Sequence, residues 1–222
     1  MTAVTGRPRS SARRILLWRH GQTSWNAQNR FQGHADIGLD DVGRAQAARS
    51  AKMLRRLRPY RIVSSDLCRA FDTATALATL LGMDITQDSR LRETSYSAWE
   101  GSTAAEIDER WPGARDAWRA GGDARPGGDG ELREEVGARV AAALREHVAD
   151  LPPGSLLVAT SHGGAVSSGI QTMLGVPPKY WPLVTGLGNC HWSVLEERPR
   201  GGWTLEEHNA SSLPEPIVGD EA

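Results

Sequence analysis

Apolar positions along the chain fall into short continuous runs separated by longer stretches of helical spacing. Ile15, Leu16, Leu17 and Trp18 are apolar in succession, the pattern of a strand buried on both faces, and the run stops at Arg19-His20-Gly21. Residues 42–57 recur with helical period behind an Asp40 or Asp41 cap. Ala45, Ala48, Met53, Leu54 and Leu57 form the expected apolar face, and Arg44, Arg49, Arg55 and Arg56 the solvated one. Residues 61–65 predict a second strand, and residues 66–81 a helix stopped by Gly82. A short third strand is expected over 84–87. Helices are expected over 103–110, where Thr103 and Glu106 make a capping-box pair, over 111–119 behind Pro112, and over 131–150. Residues 155–160 (SLLVAT) are the fullest buried strand. They end at Ser161-His162-Gly163-Gly164, and a helix then runs to about residue 174. A hairpin over 190–196 and 203–208 closes the pattern.

Strand, turn and helix thus recur in order, which implies an α/β protein with a parallel sheet and right-handed crossovers. One domain is expected over 13–211, with frayed tails at 1–12 and 212–222. Two irregular segments stand out. Residues 22–33 are a polar stretch carrying Trp25 and Phe31, expected to fold as a structured loop over the end of the first strand. Residues 121–130 are glycine-rich and expected to be mobile.

Composition narrows the function classes. With 222 residues and a formal net charge of -1, the chain has one substantial core and no global field suited to nucleic acid or a membrane surface. No stretch is long enough to span a bilayer, and the apolar run before Arg19 is too short for a signal-peptide core. Cys68 and Cys190 have neither metal-ligand spacing nor a disulfide framework, which suits reduced thiols in the cytoplasm.

Three strand-to-helix turns carry the candidate chemistry: Arg19 and His20 in the first, Arg69 in the second, His162 in the third. In a parallel sheet these turns share one edge, where such sheets hold ligands. Arginine forks and imidazoles there can surround a phosphate and supply an in-line nucleophile. His20 is the candidate nucleophile, attacking through one ring nitrogen while the other donates to a backbone carbonyl. Arg19, Arg69 and His162 would offset the charge of the transferring group, and Asn26 could donate from the loop above. Glu93, just after the third strand, is the candidate general acid, with Glu100 and Glu106 as nearby alternatives.

These residues lie in blocks that resemble the histidine phosphatase (phosphoglycerate mutase-like) superfamily. The blocks are Arg19-His20-Gly21-Gln22-Thr23 with Trp25-Asn26 and Asn29-Arg30-Phe31-Gln32-Gly33; Ser64-Ser65-Asp66-Leu67 with Arg69-Ala70 and Asp72-Thr73-Ala74; Leu91-Arg92-Glu93 with Trp99-Glu100-Gly101; and Ser161-His162-Gly163-Gly164. The resemblance implies a three-layer α/β/α sandwich with a mostly parallel central sheet. It implies His20, Glu93 and His162 as catalytic residues, and Arg19, Asn26, Gln32, Gly33 and Arg69 as substrate-binding residues. It implies no metal and no organic cofactor, and as partner a small phosphorylated metabolite, hydrolysed through phosphohistidine. A homodimer is left open.

Within the superfamily a cofactor-dependent phosphoglycerate mutase is the main alternative. Ala104 and Gly164 stand where resembling mutases carry Lys and Asn, and no Arg pair appears near Ala120. Tyr96, three residues after Glu93, is the one mutase-like feature. Pro112-Gly113-Ala114-Arg115, Gly188-Asn189 and Asn209-Ala210-Ser211 instead resemble the actinobacterial glucosyl-3-phosphoglycerate phosphatases, apart from Gly127-Gly128-Asp129-Gly130 in place of Gly-Gly-Glu-Ser. A catalytically silent module that binds phosphorylated ligands is the alternative outside enzymes.

Overall fold

The structure, a computed structural model, describes residues 11–212. The expected tails at 1–12 and 212–222 lie outside these residues except at their inner ends. There Ser11 O accepts from Gly154 N at 2.8 Å and Ser212 Oγ from Arg49 Nε at 3.0 Å.

Six strands form one sheet: β1 (Arg14–Arg19), β2 (Arg61–Ser64), β3 (Ile85–Gln87), β4 (Leu156–Ser161), β5 (Trp192–Glu197) and β6 (Trp203–Ala210), in spatial order β3-β2-β4-β1-β5-β6. β3, β2, β4 and β1 run parallel, while β5 and β6 join antiparallel at one side. Seven α-helices accompany it among the described residues: α1 (Ser24–Ala27), α2 (Asp41–Leu54), α3 (Cys68–Leu81), α4 (Ala104–Arg110), α5 (Ala114–Ala120), α6 (Arg133–Ala149) and α7 (Gly163–Leu174).

Strand alternation divides the apolar runs between two cores. Ile15, Leu17, Val63, Leu157 and Ala159 face α6 and α7, where Val140, Leu144, Val166 and Ile170 meet them. Leu16, Trp18, Ile62, Leu156 and Val158 face α2 and α3, against Ala47, Leu54, Ala74 and Leu77. The central strands are therefore apolar at every position because both faces are covered. This is the three-layer α/β/α arrangement expected from the sequence.

Local signals set most element ends. Asp40 Oδ1 accepts from Gly43 N at 2.7 Å to cap α2, and Thr103 and Glu106 close a reciprocal capping box on α4. Gly82 ends α3 in the left-handed region.

Four expectations need correction. The buried face of α2 is Gly43, Ala47, Ser50, Ala51 and Leu54, so only Leu54 belongs to the predicted set, and Met53 and Leu57 are exposed. Small residues face inward because α2 approaches the turn after β1 closely: a Cβ on Gly43 would stand 2.0 Å from Gln22 O. The helix expected behind Pro112 starts only at Ala114, after Gly113 in the left-handed region. The polar segment after His20 contains a helical turn, α1, which Thr23 and Asn26 cap reciprocally. The glycine-rich segment expected to be mobile is anchored at its end on residues 95–99: Ser97 Oγ donates to Asp129, and a Cβ on Gly127 would meet Tyr96 O at 2.3 Å and one on Gly130 Ser95 O at 2.4 Å.

Candidate active site

The parallel strands bring the three predicted turns to one sheet edge. Arg19 pairs in register with Ser161, and Ser64 with Thr160, so the residues that follow β1, β2 and β4 emerge side by side. His20 N donates to Ser161 O at 3.0 Å and Ser65 N to Thr160 O at 2.9 Å, extending the sheet into the site. The His20 and His162 rings lie 5.1 Å apart between centroids and are tilted by 59°.

His20 is 3% exposed, and its Nδ1 lies 2.7 Å from Gly21 O. A carbonyl can only accept, so Nδ1 carries the proton and Nε2 keeps its lone pair. Burial, reinforced by the charges of Arg69 and Arg19, holds the ring well below the ordinary imidazole range. His20 is thereby a neutral base with a defined tautomer. Its backbone is pinned as well: His20 O accepts from Asn189 Nδ2 at 3.1 Å and from Cys190 N at 3.2 Å. Gly21 is required by close approach, since a Cβ there would stand 2.5 Å from Gly43 O.

Arg69, in the first turn of α3, has no solvent-exposed surface. Its Nη1 donates to Ala35 O and its Nη2 to Gly33 O, both at 2.8 Å, and its Nε to His162 Nδ1 at 3.1 Å. None of these acceptors is a carboxylate. The buried guanidinium is lowered from its usual value by desolvation, with partial relief from Glu93, and stays cationic. One N–H on each Nη remains for an oxyanion. A buried cation with only neutral acceptors is a strong attractor for a dianion.

His162 is placed differently from expectation. Nδ1 accepts from Arg69, so Nε2 holds the proton and donates to Ser65 Oγ at 2.9 Å. Burial first, then Arg69, keeps this ring neutral too. Both nitrogens are engaged with protein groups, so His162 aims Arg69 rather than presenting a charge of its own. Gly33 is also displaced from its predicted role. It is not part of the cavity wall; it supplies the carbonyl that holds Arg69, with φ +54 and Glu100 Oε1 only 2.0 Å from where a Cβ would stand.

Glu93 lies beside the cavity with its carboxylate at the start of α7. Oε1 accepts from Thr94 N at 2.8 Å and Ala165 N at 2.9 Å, and Oε2 from Gly164 N at 3.0 Å. It fills the capping place that the His162 side chain does not. The alternative acids are committed elsewhere. Glu100 accepts from His34 N and Ala35 N, and Glu106 from Thr103 N and Arg30.

Arg19 donates from Nη1 to Leu187 O. Asn26 Oδ1 accepts from Thr23 N at 3.1 Å and Asn189 Nδ2 at 3.3 Å, and Gln32 Oε1 from Thr23 Oγ1 at 3.0 Å. With their oxygens held, the two amides are left to offer their NH2 groups. Arg19, His20, Asn26, Gln32, Arg69, Glu93 and Tyr96 border one cavity of about 630 Å³, open to solvent. That is ample for a phosphorylated sugar acid. Ala104 borders it too, as do Arg115 and Arg119, one turn apart on α5. The absence of adjacent arginines near Ala120 therefore does not leave the outer wall without cations.

Two supporting residues were missed from the sequence. Arg139 on α6 gathers the segment that carries Glu93, donating to Arg90 O and Arg92 O at 2.7 Å and to Glu93 O at 2.8 Å. Asn189 ties His20 to Asn26. Arg139 looks like an ordinary helix-face arginine, and only the Gly188-Asn189 pair gave any sequence signal. Among the described residues no cluster of His, Cys, Asp or Glu could hold a metal ion, and no helix is long and apolar enough to cross a membrane.

The sequence model of the histidine phosphatase superfamily (branch 1) matches residues 15–211. The glucosyl-3-phosphoglycerate phosphatase of Mycobacterium tuberculosis is 40% identical over 215 residues, covering 90% of this chain and 96% of that protein. A probable phosphoglycerate mutase of Enterobacter is 36% identical over 196 residues, covering 86% of this chain and 90% of that one. The solved structure of the mycobacterial glucosyl-3-phosphoglycerate phosphatase with VO3 superposes with a TM-score of 0.85 at 41% identity, covering 90% of this chain and all of that one. The complex of that enzyme with inorganic phosphate gives 0.83 at 40%, covering 90% and 99%.

Proposed function

The chain belongs to branch 1 of the histidine phosphatase superfamily and is a phosphoric monoester hydrolase, and from that premise we propose that it works through a phosphohistidine at His20, without metal, on a small phosphorylated sugar acid. The observation that carries the reading is the His20 tautomer. A neutral ring, fixed by Gly21 O and bordering the cavity, keeps its Nε2 lone pair beside a buried arginine that lacks a carboxylate partner.

The phosphoryl group enters between Arg19 and Arg69, with the Asn26 and Gln32 amides as further donors. His20 Nε2 attacks phosphorus in line as the ester oxygen departs. Glu93 gives that oxygen a proton, then takes one from the water that attacks the phosphohistidine, returning His20 and releasing phosphate. Arg69 neutralises charge on the transferring oxygens in both steps, aimed by His162 and by the carbonyls of Gly33 and Ala35.

Glucosyl-3-phosphoglycerate is the leading substrate. The support is the relative of that name at 40% identity and the cavity's size. A mutase reading is favoured by one observation, that Tyr96 borders the cavity. The two separate in one assay. The proposal expects phosphate release from glucosyl-3-phosphoglycerate and from p-nitrophenyl phosphate in EDTA, abolished in His20→Ala. Efficient interconversion of 2- and 3-phosphoglycerate with little phosphate release would establish the mutase. Tight phosphate binding with no turnover of any ester would establish a silent module.

A further inference from the structure

Two sequence motifs near the C-terminal end, Gly188-Asn189 and Asn209-Ala210-Ser211, meet in the structure, and the bond between them lies outside the cavity. Strand β6 is the outermost strand of the sheet beside β5. Trp192 pairs with Ala210 and Val194 with Glu207, so His208 and Asn209 together stand opposite Ser193. That extra residue is a β-bulge, a device that bends a strand and re-aims its side chains. Asn209 takes the left-handed region there, with φ +55, a conformation that asparagine tolerates better than most residues. Its N–H is answered by Ser193 Oγ at 3.3 Å.

The bulge turns both side chains onto the segment before β5. Asn209 Oδ1 accepts from Gly188 N at 2.9 Å and from His191 Nδ1 at 2.7 Å. A backbone N–H can only donate, so the amide oxygen faces the segment and His191 carries its proton on Nδ1. His208 Nε2 donates to Thr185 O at 2.9 Å, while its Nδ1 accepts from Ser193 Oγ at 3.0 Å.

Residues 187–191 are what hold the phosphoryl site from this side. Leu187 O accepts from Arg19 Nη1. Asn189 Nδ2 donates to His20 O and Asn26 Oδ1, Cys190 N donates to His20 O, and His191 O accepts from Arg19 N at 3.0 Å. Asn209 clamps this short span near both ends, at Gly188 and at His191. Glu93 is held by other groups, the N–H of Thr94 and the start of α7.

We infer that Asn209 is a positioning residue of the phosphoryl site, which acts through residues 187–191 to set Arg19, His20 and Asn26 against the phosphoryl group. It touches no substrate, since it does not border the cavity. The inference rests on the phosphatase reading and adds to it a bulge on the outermost strand that keeps one half of the site, the phosphate-holding and nucleophilic half, in register.

The test compares three variants. Asn209→Gly keeps the left-handed backbone and removes only the acceptor. Its binding of inorganic phosphate, measured by calorimetry, is expected to weaken about tenfold, the scale of one lost hydrogen bond. Its kcat/KM falls by a similar factor on alkyl phosphates and on p-nitrophenyl phosphate alike, because the leaving-group acid Glu93 stands outside the segment. Asn209→Asp keeps the acceptor and regains most of both. His191→Phe, which removes one of the two bonds and keeps a ring in place, falls between. Urea midpoints show that each variant is folded in the assay; where Asn209→Gly is not, His191→Phe against Asn209→Asp makes the same comparison. Unchanged phosphate binding on loss of the acceptor, a loss confined to alkyl esters, or an Asn209→Asp no better than Asn209→Gly overturns the inference. Phosphate binding reads Asn209 without any chemistry, whereas hydrolysis of p-nitrophenyl phosphate by the unsubstituted chain tests the phosphatase reading separately.

Discussion

Arg69 donates from Nε to Nδ1 of His162 at 3.1 Å, and that one bond decides what both residues can do. It makes the imidazole an acceptor on Arg69's side and a donor to Ser65 on the other. It also fixes the guanidinium so that its unused N–H groups are set by Gly33 O and Ala35 O. Removing His162 is therefore expected to act through Arg69. His162→Ala should lower kcat/KM about 10²-fold, the scale of a small misplacement of a positioning group, and weaken inhibition by inorganic phosphate in parallel. Ser65→Ala should do the same to a smaller degree. Steady-state kinetics with phosphate as inhibitor checks this; an unchanged phosphate Ki would contradict it.

Glu93 and Arg139 should share a signature that depends on the leaving group. An alkoxide needs a proton as it departs, whereas p-nitrophenolate does not. Glu93→Gln is expected to slow alkyl phosphate hydrolysis by about 10²–10⁴-fold and p-nitrophenyl phosphate far less. Arg139→Ala, which frees the carbonyls of Arg90, Arg92 and Glu93, should show the same skew at smaller amplitude. The measurement is the ratio of kcat/KM for the two ester types. An equal loss on both would assign Glu93 to phosphate binding instead.

What the sequence made legible follows from where signals are local. The strands at β1 and β4 were plain because both faces are buried, and the turns after them because arginine, histidine and glycine interrupt apolar runs abruptly. The convergence of His20, Arg69 and His162 followed from parallel topology alone. The face of α2 was misjudged because Gly43, Ala47 and Ser50 are inward for close approach to Gln22, a tertiary demand that hydrophobicity does not encode. The role of Gly33 was misplaced because a carbonyl that holds Arg69 leaves the same residue type as one that binds substrate. Arg139 was invisible, since beside its local ion pair with Glu131 it reaches backbone oxygens some 46 to 49 residues away.

The contact between α2 and the turn after His20 should be intolerant of a single methyl group. Gly43→Ala would place a Cβ 2.0 Å from Gln22 O, a backbone atom that cannot rotate away. The expected cost is about 1–3 kcal/mol of stability, together with lost activity as the turn after His20 shifts. Urea unfolding and p-nitrophenyl phosphate kinetics measure both. A wild-type midpoint would show that the turn relaxes freely.

The two buried imidazoles also predict a pH dependence. Both are held well below the ordinary range, chiefly by burial, so the folded chain keeps them neutral where the unfolded chain protonates them, at about pH 6.5. Their contribution to stability is present above that pH and is lost as pH falls toward the folded values. The urea midpoint should drop between about pH 7 and about pH 5.5, with a shallower drop in His20→Ala. An equal slope in that variant would mean that His20 is not the neutral group described.

The most direct test of the account is to trap the covalent intermediate. Protein mixed with a phosphomonoester in EDTA and quenched within one turnover should carry one phosphoryl group on the peptide containing His20. The adduct should be stable in base and labile in acid, and absent from His20→Ala. Phosphate release in the burst phase with no such adduct, or activity that disappears with EDTA, would contradict the assignment of His20 as nucleophile.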